Sequence, residues 1–232
     1  MYTYQEIFYN EIKNKIMSGE LKIGDKLPTL RELSDKYHLG KTTVHSGIVQ
    51  LERAGFVVVV PRLGVFVNDY KKNGNIFTIE MMLQSEVNLI DKNTIRSLIK
   101  LKKDIEPNVM KSAALTRTDS EIEVAFRIYE EILNEKDIQR YAELKFKLYK
   151  HLWSCADNEL YIWLFNSFKK IVVDIYLKSY SNIKVNTYDD QVEELLLAIK
   201  NKDGELAYNI TSSLVDRQLE LAEIHYLGDK HE

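Results

Sequence analysis

Residues 27–67, LPTLRELSDKYHLGKTTVHSGIVQLERAGFVVVVPRLGVFV, decide the fold. Pro28 stops an extended stretch, Thr29 stands where a helix cap belongs and Glu32 follows it at the spacing of a reciprocal capping box, so a helix starts there. Leu30, Leu33 and Tyr37 form its inner side. After a short turn at His38, Leu39 and Gly40, a further helix carries Val44, Ile48 and Leu51 inward and ends near Gly55. Lys41, Thr42 and His45 remain on its opposite face. Phe56 to Val60 is aromatic and β-branched, Pro61-Arg62-Leu63-Gly64 is turn-forming, and Val65 to Val67 returns, so a hairpin closes the stretch.

Toward the N-terminus, Tyr4 to Ser18 places Phe8, Ile12 and Ile16 at spacings of four, which is one stripe of a core helix. Helix, helix, turn, helix and hairpin together make a winged helix-turn-helix over residues 1–70. In such a unit the third helix lies in the major groove with its N-terminal residues at base edges, and the hairpin reaches the neighbouring backbone or minor groove. A cation at position 41, the start of that helix, opposes the macrodipole preference and implies a partner anion, for which DNA phosphate is the obvious choice.

Toward the C-terminus the chain changes character. Six of the nine glycines and two of the three prolines precede residue 65. The polar run from Asn68 to Asn75 holds a linker, residues 71–75, and residues 76–232 then read as an antiparallel bundle of about seven helices, near 76–90, 92–115, 119–135, 137–156, 159–181, 187–201 and 203–226. Pro107 is expected to kink the second of these. Trp153, Tyr161, Trp163, Phe165 and Phe168 supply core or the lining of a large apolar pocket. The fold class is mainly α.

Over residues 27–67, Leu27-Pro28, Arg31-Glu32-Leu33, Thr42-Thr43-Val44, Leu51-Glu52, Gly55 and Gly64-Val65-Phe66-Val67 follow one pattern, and the segment resembles the DNA-binding domain of the GntR family of bacterial transcription regulators. The resemblance implies operator contacts by Arg31, Gly40, Lys41, Thr42, Thr43, His45, Arg62 and Gly64. Lys41 and His45 stand where the family usually has arginines, and Arg62 where it usually has glycine. Arginine grips guanine bidentately and lysine or histidine does not, so an uncommon operator is expected.

Residues 76–226 are similar to the all-helical FCD effector domain of the FadR-type branch, through Ile105-Glu106-Pro107, Asn158, Ala198-Ile199, Asp203 and Ala207. Many such domains hold a divalent metal with an aspartate, a histidine four residues later and two more histidines; those places fall here on Lys145, Tyr149, Val192 and Leu214. No metal and no other cofactor is therefore expected. Lys145 replaces the cation's charge and, with Lys102 and Tyr149, becomes a candidate site for an anionic small-molecule effector. The competing reading puts Lys102 and Lys145 on solvated helix faces. His151 is expected as a surface or core histidine.

Composition sets the outer limits. The 232 residues are 45% hydrophobic and 29% charged, as in a globular protein of one or two domains. The single cysteine, Cys155, excludes a disulfide framework and fits a reducing compartment, and neither a signal peptide nor a membrane span is apparent, so a cytoplasmic protein is expected. Residues 1–70 carry nine Lys/Arg against eight Asp/Glu, +1 within a total of −3, so local placement rather than net charge must serve DNA. No P-loop, nucleophile elbow, H-E-x-x-H or dinucleotide fingerprint is present, and an enzyme is not expected. The expected function is a ligand-responsive, sequence-specific transcription regulator, in its fullest form a homodimeric repressor on operator DNA. The alternative is a ligand-binding or protein-interaction module with weak, sequence-blind DNA binding.

Overall fold

A computed structural model describes residues 3–83, 92–169, 172–173, 177 and 189–222. The chain divides into two compact units, Met1–Ile90 and Asp91–Glu232. The first contains α1 (Tyr4–Met17), α2 (Leu30–Tyr37), α3 (Lys41–Arg53), β1 (Val57–Val60), β2 (Gly64–Val67), α4 (Tyr70–Asn73) and α5 (Ile76–Leu83). Capping boxes close the starts of α1, with Thr3 and Glu6, and of α2, with Thr29 and Glu32. Phe8, Ile12, Ile16, Leu33, Val44, Ile48, Leu51 and Phe56 form the core, while Leu30 and Tyr37 are half-buried. α1 and α3 approach closely because residue 47 lacks a side chain: a Cβ on Gly47 would sit 2.4 Å from the Phe8 ring.

β1 and β2 pair antiparallel from Val57 opposite Val67 to Val60 opposite Gly64. The Leu63 N–H donates to the Val60 carbonyl at 3.0 Å, with proline second in the turn and Arg62 third at φ +66°. That is the arrangement of a type II turn, which demands positive φ at its third position. The turn is thus kept with arginine in the place that favours glycine. The segment before α2 runs along the other edge of β2, where the Leu27 N–H donates to the Val65 carbonyl at 2.8 Å and the Val67 N–H to the Asp25 carbonyl at 2.8 Å.

A second domain beginning at residue 76 after a 71–75 linker differs from what the structure shows. α4 occupies most of that linker, and α5 packs inside the first unit. The Thr78 hydroxyl donates to the Ala54 carbonyl at 2.6 Å and Lys13 Nζ to the Met81 carbonyl at 3.2 Å. The sequence of α5, IFTIEMML, is apolar on nearly every side, so periodicity alone names no neighbour for it.

The second unit contains α6 (Lys92–Thr116), α7 (Asp119–Asn134), α8 (Ile138–Ser154), α9 (Glu159–Ser167), α10 (Asp189–Lys200) and α11 (Gly204–Ala222). Thr118 with Glu121, Asp137 and Asn158 cap α7, α8 and α9. α6 continues through Pro107. Met110, Ala113, Ala125, Leu148, Leu152, Leu195 and Ala207 lie at the centre of the core. Of the expected core aromatics, Trp153 and Phe165 are buried, Tyr161 and Phe168 half-buried, and Trp163 is 59% exposed. Trp163 is corrected to a surface residue, since its neighbour Phe165 takes the inward position of the short α9. Much of the fifth pattern beyond residue 169, the start of the sixth, and residues 223–226 with His225 lie outside the described residues. Among those described, no helix is long and apolar enough to cross a membrane.

Candidate nucleic-acid interface

α3 begins at Gly40, an N-cap with φ −62° that offers no side-chain acceptor, and its first turn contains no acidic residue. The N-terminal N–H groups of a helix carry partial positive charge and need acceptors, so this end suits an anion. Burial of Val44, Gly47, Ile48 and Leu51 fixes the rotation of α3 about its axis. Gly40, Lys41, Thr42 and His45 are then exposed and Thr43 half-buried. Val49 shares the stripe of Lys41 and His45, at successive spacings of four, and is 44% exposed. Sequence reasoning passed over it, because a valine beside Ile48 reads as core; its offset from the 44–48–51 stripe was the available signal.

Arg31 is exposed in the first turn of α2. Arg62 and Leu63 are exposed at the tip of the hairpin. Gly64, half-buried at φ +127°, leaves room for the Lys26 side chain, whose Cε would lie 2.8 Å from a Cβ at that position. Lys26 is itself exposed and bridges to Phe66, which adds a cation beside the wing. Nothing in the local sequence signals that placement, since it depends on the pairing of the 24–27 segment with β2.

In the helical unit, Lys145 and Tyr149 lie one turn apart on α8 and are 1% and 3% exposed. The solvated-face reading of Lys145 is thereby corrected: its stripe of α8 turns inward, and Nζ sits 5.5 Å from the centre of the Tyr141 ring. Lys102, half-buried on α6, pairs with Glu106 at 3.2 Å, and the Glu106 side chain is 3% exposed. Among the described residues Glu106 Oε2 accepts no well-aligned hydrogen bond, so charge proximity rather than hydrogen-bond geometry holds the pair. The buried Trp153 indole N–H, one turn beyond Tyr149, has no hydrogen-bond partner among the described residues.

Val192 and Leu214 are also buried, at 2% and 3% exposure. An ammonium, a phenol and two aliphatic side chains supply no donor set for a divalent metal, and among the described residues no group of three or more His, Cys, Asp or Glu could hold one. His151 is half-buried, with Nε2 2.8 Å from the Glu121 carbonyl. Burial, aided by the Glu121 charge, pushes the Cys155 thiol up to about 12. That thiol is protonated and unreactive at neutral pH.

Residues 3–67 match the family described as bacterial regulatory proteins, gntR family, and residues 97–217 match the FCD domain. The chain is 25% identical over 163 residues to the HTH-type transcriptional regulator LutR of Bacillus subtilis (strain 168), covering 68% of this chain and 71% of that one. It is 20% identical over 191 residues to the fatty acid metabolism regulator protein of Proteus mirabilis (strain HI4320), covering 82% and 75%. A solved structure titled for Lar, which controls expression of the Listeria monocytogenes agr system, shares the fold with a TM-score of 0.64 at 14% identity, covering 97% of this chain and 99% of that one.

Proposed function

The chain belongs to the gntR family of bacterial regulatory proteins, as a transcriptional regulator that joins a DNA-binding helix-turn-helix to an effector-binding FCD domain, and from that premise we propose that it acts in the cytoplasm as a homodimeric repressor. The N-terminal face of α3 enters the major groove of each operator half-site. Lys41, Thr42, Thr43 and His45 meet base edges and phosphate, Gly40 lets the backbone approach, Arg31 reaches phosphate or a base edge from α2, and Arg62 and Gly64 place the wing against the adjacent groove. The observation that carries this reading is the exposed, acid-free start of α3 with Lys41 at its first position.

The effector is a small anion. Support comes from the buried Lys145 ammonium beside Tyr149, which in a dehydrated interior favours a carboxylate or phosphate. Lys102 is the weaker member, since Glu106 already faces it. Effector binding shifts operator affinity by linkage between the two domains.

The test is a gel shift on a duplex recovered from a random-sequence pool with the full-length protein. Arg31→Ala and Lys41→Ala each weaken binding by about 1–3 kcal/mol, the scale of a good specific contact, with circular dichroism unchanged. Unchanged binding by both variants would remove these residues from the interface.

A further inference from the structure

We propose that α5 is a positioning element for α3, gripping the C-terminal end of the recognition helix so that operator binding and the state of α5 are energetically coupled. The inference rests on reading α3 as the DNA-contacting helix. The Arg53 guanidinium, the last residue of α3, lies 3.8 Å from the centre of the Phe77 ring. Asn75 Nδ2 donates to the Arg53 carbonyl at 3.0 Å, and the Thr78 hydroxyl donates to the Ala54 carbonyl at 2.6 Å. Carbonyls at a helix C-terminus lack intrahelical partners, and here side chains of the α5 start supply them.

The far end of α5 is held as well. Lys13, 1% exposed on α1, donates from Nζ to the Met81 carbonyl at 3.2 Å and to Asn10 Oδ1 at 2.7 Å. An ammonium at a helix C-terminus is favoured by the dipole, and a buried one is tolerated only with such partners. Because α1 itself lies against α3 through Phe8 and Gly47, α5 is tied to α3 directly at one end and through α1 at the other.

The lever arm is long. Lys41 stands about 18 Å along α3 from Arg53 at helical rise, so a tilt of about 6° at the gripped end moves it by about 2 Å. Shifts of that size decide whether base and phosphate contacts form. The covalent path from the head to the helical unit runs through α5, which makes it the segment where a signal along the chain meets the recognition helix.

Amide hydrogen exchange on the full chain, with and without the duplex recovered from the random-sequence pool, tests this. In the wild type, duplex raises protection of residues 76–83 by about tenfold, together with that of α3, a coupling within the usual range. Phe77→Ala, and Arg53→Gln on its exposed partner, reduce the α5 response to less than about twofold relative to each variant's own free state, while α3 remains protected. Phe77→Trp, which keeps an aromatic face, restores it. A wild-type α5 that ignores duplex while α3 is protected, or an α5 response that survives both substitutions, would overturn the proposal alone. Duplex that protects neither helix would overturn the DNA-binding reading with it.

Discussion

Arg62 shows how one residue serves two opposed demands. Its left-handed backbone costs about 1–2 kcal/mol relative to a relaxed conformation, part of which glycine recovers and part of which glycine loses again to its own unfolded-state freedom. Arg62→Gly is therefore expected to stabilise the head by about 0.5–1 kcal/mol in thermal denaturation. The same change removes a cation from the wing, so operator affinity falls and the slope of its logarithm against log salt drops by about one. Cys155 shows burial as the leading cause of a shift, with the Glu121 charge adding to it. Its raised folded-state pKa means that its contribution to stability is complete below pH 9.0 and is lost as pH rises from there through about 12. A thiol-specific chromogenic reagent at pH 8 is expected to find no accessible thiol until denaturant is added; rapid native reaction would contradict the burial. At this scale the sequence was informative wherever an amphipathic stripe fixed the inside of a helix, as for Val44, Ile48 and Leu51, because the outside then followed. It was uninformative for Lys26, Val49 and Trp163, whose exposure depends on which neighbour covers a residue rather than on its own type.

Whole elements were legible where their ends carry chemistry. Thr29 with Glu32 announces the start of α2, and the structure starts the helix there; Thr118 and Asn158 likewise satisfy the first backbone N–H groups of α7 and α9, whose starts were expected near 119 and 159. α5 has a cap too, Asn75, whose Oδ1 accepts from the Phe77 N–H at 2.9 Å, but a cap marks a start and names no neighbour, so its allegiance to the first unit appears only once Thr78 and Lys13 have found the carbonyls they satisfy. Arg117 plays the same part between helices of the second unit. Buried at 5% exposure in the turn before α7, it donates to the Ile199 and Lys200 carbonyls at the end of α10 and to Asp119. Arg117→Ala is expected to cost about 3 kcal/mol, since hydrogen bonds from a charged donor are worth about 1.5–3 kcal/mol and truncation removes those that tie the end of α10 to the turn before α7. Lysine should rescue only partly, because one ammonium does not reproduce the fork of a guanidinium. Equal stability of the alanine variant and wild type would show that α10 needs no such clamp.

For the whole molecule, net charge gives no affinity for nucleic acid, and a total of −3 makes long-range attraction to DNA weak. Binding must then come from local contacts repeated on two half-sites, which is why the account requires a dimer. Sedimentation equilibrium at micromolar concentration should return twice the 27.1 kDa of the chain. A monomer there would leave a single head with too few contacts for a specific site. The metal-free reading of the helical unit belongs to this scale too: elemental analysis of the purified protein should find no stoichiometric zinc, nickel or manganese, and chelator should leave the melting temperature unchanged. The most direct measurement is the affinity of the full-length protein, at fixed salt, for the duplex it selects from a random pool and for a scrambled duplex of the same length and composition. The selected site is expected to have two-fold symmetric halves and to be bound by two chains at least about a thousandfold more tightly than the scrambled one. Equal affinity for both duplexes would contradict it.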